Sequence, residues 1–384
     1  MKKLSLCLML IFFKLGAQTI SPISADSLYA LGNYQQAILE LESMEPKNEI
    51  ILLKLAKANE AYGNWDVALD NYKEVLSRNP KRVLTAVDYG ELLLKAGYIN
   101  PADSLFTELS KKYPENANFL YKLGLVKEQK NDSLAIAHFT YATILDSTHQ
   151  QALFKVAKYE LVHSNYAMAE HHAKMGLAKN PKNTSLLSIL AQTYYNQQLF
   201  REAMQEFEKI VALGQGNEFV YSKLGMCYYK SFQYEEAIEN YKQCLKFEDR
   251  NSDTHFNLGK LYALTEDFEK SEMELLMAIL IKKQPVDAEF LSLAITYKSL
   301  KDYKKMLEYT QKALEENPDN ERALYERAIA ADNYFKDISS VIKYYQSYLD
   351  KYQKEGSSYL IDLAQKRISD LKKEKHLLVE KEEE

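Results

Sequence analysis

One period runs through this chain. From about residue 49 to residue 320, small residues and aromatics return every 34 residues, in copies that begin near Glu49, Val83, Ala117, Gln150, Thr184, Glu218, Ser252, Asp287 and Asn320. The steps between these starts are 34, 34, 33, 34, 34, 34, 35 and 33. A period of this length restricts the fold to an array of like supersecondary units, each of which buries its apolar face only against its neighbours. Within a copy, apolar residues fall in two stripes at i, i+3, i+4 and i+7 spacing, so each copy reads as two amphipathic helices.

The residue types explain how the two helices meet. Small residues on the first helix, such as Gly225, Gly259, Ala191, Ala157 and Gly124, face small residues on the second, such as Ala237, Ala203, Ala169 and Ala68. Their size lets the backbones approach closely. An aromatic one turn after the second small residue, as in Tyr72, Phe106, Phe207 and Tyr241, fills the space that remains. Pro80, Pro114, Pro181 and Pro318 end second helices, because proline lacks a donor and disfavours helix at the residue before it. Gly63, Gly97 or a polar run such as Lys301-Asp302 marks the turn inside a pair.

One copy carries Tyr221, Leu224, Gly225 and Tyr228 on its first segment and Ala237, Tyr241 and Cys244 on its second. Others carry Leu187, Leu190, Ala191, Tyr194, Ala203 and Phe207, or Leu55, Ala56, Gly63, Ala68, Tyr72 and Pro80. This pattern resembles the tetratricopeptide repeat (TPR), over roughly residues 20 to 350. The resemblance implies an all-α, right-handed α-solenoid of about ten TPR helix-turn-helix repeats with a C-terminal capping helix. A tenth copy precedes the nine at Leu28, Gly32, Tyr34, Ala37 and Leu41. Asn131-Asp132-Ser133 shortens one copy by a residue and Tyr334-Phe335-Lys336-Asp337 lengthens the last, both in turns, where such changes are tolerated.

The expected organisation is a signal peptide at 1–17, a solenoid over 18–352, and a capping helix with charged tail over 353–384. Lys2 and Lys3, the apolar run Leu4 to Phe13, and Leu15-Gly16-Ala17 read as a secretory signal cleaved after Ala17. That run is shorter than the about 20 residues of a membrane span. Cys7 is a poor lipoprotein site, since Leu6 stands where a small residue is expected. The mature chain is therefore expected to be exported, periplasmic in a Gram-negative host or otherwise secreted, with no integral membrane span. A retained N-terminal anchor is the alternative. Ser358 to Val379 places Leu360, Ala364, Ile368, Leu371 and Leu378 on one side, as a cap would. Alternatively its distal part, from Leu371, makes a helix contact with a partner or a second copy.

Of 384 residues, 46% are apolar, 12 are Gly, 8 are Pro and 29 are Tyr, a composition that excludes disorder. The net charge is −5, and lysines alternate with acids instead of gathering in a basic stripe, which argues against nucleic acid. Phosphate loops, His-Glu-x-x-His, Gly-x-Ser-x-Gly and Cys-x-x-Cys are absent, so the chain reads as non-catalytic and without cofactor. His163, His171 and His172 are expected to be surface residues, since adjacent helical positions point about 100° apart. Cys227 and Cys244 share one copy at places where small apolar residues pack elsewhere. Two buried thiols are expected there, with a disulfide as the alternative in an oxidising compartment.

Function then falls to the groove that stacked first helices form, a concave face suited to a peptide or helix. The second, fifth, ninth and twelfth places give Tyr121, Leu125, Glu128, Phe154, Lys158, Gln192, Tyr195, Phe219, Met226, Tyr229, Phe256, Lys260, Leu291, Ile295 and Lys298. Aromatics and Met at such places suit an interface core. Equally, an aromatic stripe at helical spacing can be core packing. Relatives that clamp a terminal carboxylate use Lys and Asn at fixed first-helix places. Here the fifth places hold none, and no ninth place is Asn. The expected function is a scaffold binding a protein or peptide partner, with envelope assembly or secretion as the expected setting. The alternatives are a self-associating structural protein and a carbohydrate-binding or enzyme-accessory module.

Overall fold

The computed structural model describes residues 22–283 and 285–383. The expected signal segment, 1–17, lies outside the described residues. Among the described residues all regular structure is helical, in 21 helices: ten helix-turn-helix pairs in sequence order and a final single helix. The chain divides into two compact units between Tyr159 and Glu160.

The first unit stacks α1 (Pro22–Ala30) with α2 (Tyr34–Glu42), α3 (Glu49–Tyr62) with α4 (Trp65–Arg78), α5 (Val83–Lys95) with α6 (Ile99–Lys112) and α7 (Ala117–Gln129) with α8 (Leu134–Leu145). The division falls within α9 (Gln150–Val162). The second unit begins with α10 (Tyr166–Lys179). It pairs α11 (Thr184–Asn196) with α12 (Phe200–Ala212), α13 (Glu218–Lys230) with α14 (Tyr234–Leu245) and α15 (Ser252–Leu264) with α16 (Phe268–Ile281). It continues with α17 (Asp287–Ser299) and α18 (Tyr303–Glu316), then α19 (Glu321–Tyr334) and α20 (Ile338–Tyr352), and ends on α21 (Ser358–Glu383).

First helices start where the sequence period places them, and local chemistry fixes the start. Asn48, Asn116, Asn183, Asn217, Asn251 and Asn320 each accept a hydrogen bond from a first-turn backbone N–H. Caps of this kind stabilise a helix by about 1 kcal/mol each. Nine of the ten turns inside a pair then use one device. A residue with φ between +53° and +100° ends the first helix, and the next N–H reaches back to the carbonyl five residues earlier, as Asn64 does to Asn59 and Gln233 to Tyr228. Only three of these nine residues are Gly; the others include Ser164, Phe232 and Lys301. The tenth turn, where the sequence lengthens, runs extended through Phe335, and Asp337 caps α20 through the backbone N–H groups of Ser339 and Ser340.

The small-on-small reading of the pair interface is met in atomic detail. A Cβ built on Gly225 would lie 2.8 Å from the Tyr241 ring, and one on Gly90 2.5 Å from Phe106. Tyr72, Phe106, Phe207 and Tyr241 are all fully buried. Close backbone approach and ring insertion are thus one interaction, and no methyl group fits between them.

Cys227 and Cys244 are free, buried thiols, and desolvation pushes both up to about 12, so neither carries thiolate at neutral pH. The histidine expectation needs correction: His171 is exposed, but His172 is buried, with Nδ1 2.8 Å from the Met168 carbonyl oxygen. The cap is also shorter than expected. Leu360, Ala364, Ile368 and Leu371 of α21 are buried in one cluster with Val341, Tyr345 and Tyr348, while Arg367 grips Asp332 at 2.7 and 3.0 Å. Leu378, expected on the same side, is 53% exposed, because the apolar stripe outruns the element it covers.

Candidate partner-binding surface

The aromatics nominated in the second unit do assemble, and lysines hold them together. Lys223, on α13, places Nζ 4.4 Å from the Tyr195 ring centre on α11 and 5.8 Å from that of Phe219. One repeat further on, the Lys260 Nζ of α15 lies 5.6 Å from Tyr229 and 5.3 Å from Phe256. Each lysine thus ties its own helix to the preceding first helix through a ring, and Lys230 adds a third cation 5.7 Å from Tyr229. No carboxylate among the described residues forms an ion pair with Lys223 or Lys260. Each such contact is worth ~0.5–1 kcal/mol at an exposed site.

The rings are half-anchored. Phe219 is 38% exposed and meets Phe207 edge to face at 6.3 Å; Tyr195 meets Phe200 at 5.8 Å, and Tyr229 meets Tyr234 at 6.3 Å. Burial raises the Tyr195 pKa, so its phenol stays neutral and its ring stays an electron-rich platform. Met226 and Gln192 are partly buried beside them, and the Gln192 amide is spent on the Ser188 carbonyl and hydroxyl. Ile295 is 39% exposed on α17, where Leu291 is partly buried and Lys298 pairs with Glu326 at 2.8 Å. Over α11, α13 and α15 the result is a surface of ring edges and faces on which Lys223 and Lys260 stand outside any ion pair. Chemically it offers stacking, apolar contact and attraction to anions.

In the first unit the same places give a different surface. Tyr121 was expected on the groove; it is buried, its ring 5.7 Å from Phe139 and 5.0 Å from His149. The physical reason is the small residue Gly124 one turn on, which lets Phe139 close against α7 and draws Tyr121 inward with it. Leu125 packs partly into the same cluster, Phe154 is partly buried, and Lys158 is exposed. Charges dominate here. Asp26 with Lys54, Lys57 with Asp88, Glu91 with Lys122 and Glu128 with Lys155 join successive first helices at 2.5, 3.7, 2.6 and 2.5 Å.

Lys223 was missed by sampling the second, fifth, ninth and twelfth places, since it occupies the sixth. A signal was present: lysine recurs at that place as Lys54, Lys122, Lys155 and Lys223. Also missed was a stripe on a second helix, where Met273, Leu276, Met277 and Leu280 of α16 are all exposed at i, i+3, i+4 and i+7 spacing.

Three stretches of the chain match family models: residues 51–82 and 290–320 match the tetratricopeptide repeat, and residues 225–265 match the TPR repeat. The residues matched at 225–265 include Tyr229, Phe256 and Lys260. Solved structures with a similar course include YrrB, a TPR protein with an unusual peptide-binding site, at 18% identity over 49% of this chain and 96% of that one, with a TM-score of 0.46. MamA matches at 21% identity over 42% and 95%, with a TM-score of 0.41. PilF of Pseudomonas aeruginosa matches at 16% identity over 56% and 98%, with a TM-score of 0.44. No curated protein matches the chain by sequence.

Proposed function

We propose that this TPR-bearing chain is a non-catalytic scaffold, and that the face made by α11, α13 and α15 holds a segment of a protein partner. One observation carries the reading: Lys223 and Lys260 rest on the faces of Tyr195, Phe219, Tyr229 and Phe256 with no carboxylate partner. Rings that bridge successive helices present contact area at little entropic cost, and cations parked on rings are available to a ligand without first breaking an ion pair. TPR arrays are protein-interaction scaffolds in general, which agrees with this use of the face.

Photo-crosslinking in cells tests it, with the probe at Tyr229 and a control at Lys242 on α14. A discrete adduct from Tyr229 alone is expected. Adducts only from Lys242, or none, would move the search to the other helices. The order of Lys2, the apolar run Leu4 to Phe13 and Ala17 supports an exported scaffold; a mature N-terminus at Gln18 in the secreted or periplasmic fraction is the expected result. A second reading, self-association through the distal part of α21, rests on Leu377 and Leu378, which are 57% and 53% exposed. Sedimentation across a dilution series separates the two, since only self-association depends on the chain's own concentration.

A further inference from the structure

Charges in the second unit are compensated almost everywhere they are buried. Glu326 meets Lys298 at 2.8 Å and Arg322 at 2.5 Å, Glu289 meets Lys282 at 2.6 Å, and Arg367 meets both Asp332 and Glu374. Arg327, in the middle of α19 and partly buried, has no carboxylate of this kind. Its Nη1 donates to a neutral acceptor, the Gln311 Oε1, at 2.8 Å, and its guanidinium carbon lies 5.8 Å from the Tyr344 ring. Its Nε is shielded from solvent and has no protein acceptor. Burial lowers its pKa, and no neighbouring carboxylate counters that effect. Arg327 is thus a partly buried cation whose Nε is shielded from water and which faces no carboxylate, an arrangement that a bound anionic group would complete.

The surroundings indicate which anionic group fits. Arg327 and Gln311 together line two clefts, of about 640 and 560 Å³, walled by α18 and α20. Lys343 lines the first and Lys304 the second. Of the acids in the lining, Glu308 pairs with Lys312 at 2.7 Å, and Asp350, which accepts from the Gln346 amide at 2.8 Å, is the one carboxylate of the first cleft set against Arg327 and Lys343. In a chain of net charge −5 this is a locally cationic place. Apolar side chains share the walls with these polar groups: Leu314, Pro318 and Leu324 in the first cleft, Leu307, Tyr334 and Tyr344 in the second. A small inorganic anion would satisfy Arg327 and leave both walls unused. An extended peptide would use all three parts.

We propose that the cleft between α18 and α20 is a second binding site, for an acidic peptide segment whose carboxylate supplies the counter-charge to Arg327 while flanking apolar side chains occupy the clefts on either side. It is independent of the Tyr195–Phe256 face, being built from other helices.

The test uses the full chain and two fluorescein-labelled peptides, one alternating leucine and glutamate and the other alternating leucine and glutamine. The glutamate peptide should bind more tightly, and Arg327→Gln should weaken it by about tenfold or more, as expected for loss of a charge-assisted contact. Arg327→Lys should recover part of that loss. Without peptide, Arg327→Gln should unfold at the same temperature as the parent or above it, since a partly shielded charge without a carboxylate partner has gone. Four results would overturn the proposal: equal affinity for the two peptides, binding indifferent to Arg327→Gln, a lower unfolding temperature for that variant, which marks a structural arginine, or binding of inorganic phosphate without the peptide.

Discussion

The two units solve one problem in two ways. Both must join each first helix to the next along an exposed face, and both place lysines there. In the first unit the lysines are consumed by carboxylates on the adjoining helix, from Asp26 with Lys54 to Glu128 with Lys155. In the second, Lys298 is paired with Glu326 in the same way, but over α11–α15 Lys223 and Lys260 lie on rings with no carboxylate opposite, whereas Lys122 and Lys155 of the first unit lie near rings and are ion-paired as well. An ion pair has to open before either member can serve a ligand, and opening it exposes the other charge. A cation on a ring keeps its full charge and most of its donors. The difference lies in the partners the side chains find, while the helical backbone of the repeat stays the same.

If the units differ only on this face, their interiors should respond alike. Phe106→Ala and Phe207→Ala, at equivalent buried places, should each cost ~3–5 kcal/mol, read by hydrogen exchange in the unit that carries the change. A marked inequality would mean that the comparison reaches into the core. Next in size is binding. The triple variant Tyr195→Ala, Tyr229→Ala, Phe256→Ala should abolish partner capture with helicity intact by circular dichroism, whereas Lys57→Ala, Lys122→Ala, Lys155→Ala should preserve it. The opposite pattern would transfer the contact to the first unit. A smaller effect is expected from breaking one ladder pair: Lys122→Ala should cost ~0–1 kcal/mol, and 0.5 M salt should erase the difference from the parent.

The smallest concerns pH. Burial acts to raise the Asp103 pKa, but hydrogen bonds and ion pairing with Lys130 and Lys127 outweigh it and hold the carboxylate below its ordinary value of 3.8. A depressed folded-state pKa means that this group's stabilisation is present above 3.8 and is lost as pH falls through the lower folded value. Asp103→Asn should therefore flatten the acid limb of first-unit stability below about pH 4 and leave the second unit unaffected.

The repeat phase was legible because it is written in packing residues. Gly225 and Tyr241, or Gly90 and Phe106, sit at fixed distances in the sequence because one must fit the other in space, and helix starts follow from the same phase. The aromatic face was legible in part. Phase alone identifies which residues point along the first-helix side, but not which of them a neighbour covers, and Tyr121 was lost to Phe139 for that reason. Lys223 escaped because lysine at an exposed place reads as solvation until a ring beneath it is known. Arg327 was beyond reach altogether: nothing local distinguishes an arginine with a carboxylate from one facing only a glutamine, since its partner lies 16 residues away on another helix.

The turns inside the pairs have a consequence of another kind. Six of the nine left-handed positions are held by residues that pay for that backbone, among them Phe232, which is also 78% exposed. The geometry at these points is imposed by the helices on either side, so the identity of the residue is nearly immaterial to the stack. Such sites are where copies can drift apart, where glycine would stabilise by about 0.5–1 kcal/mol, and where a label or a grafted residue can be placed once per repeat along a single edge of each unit.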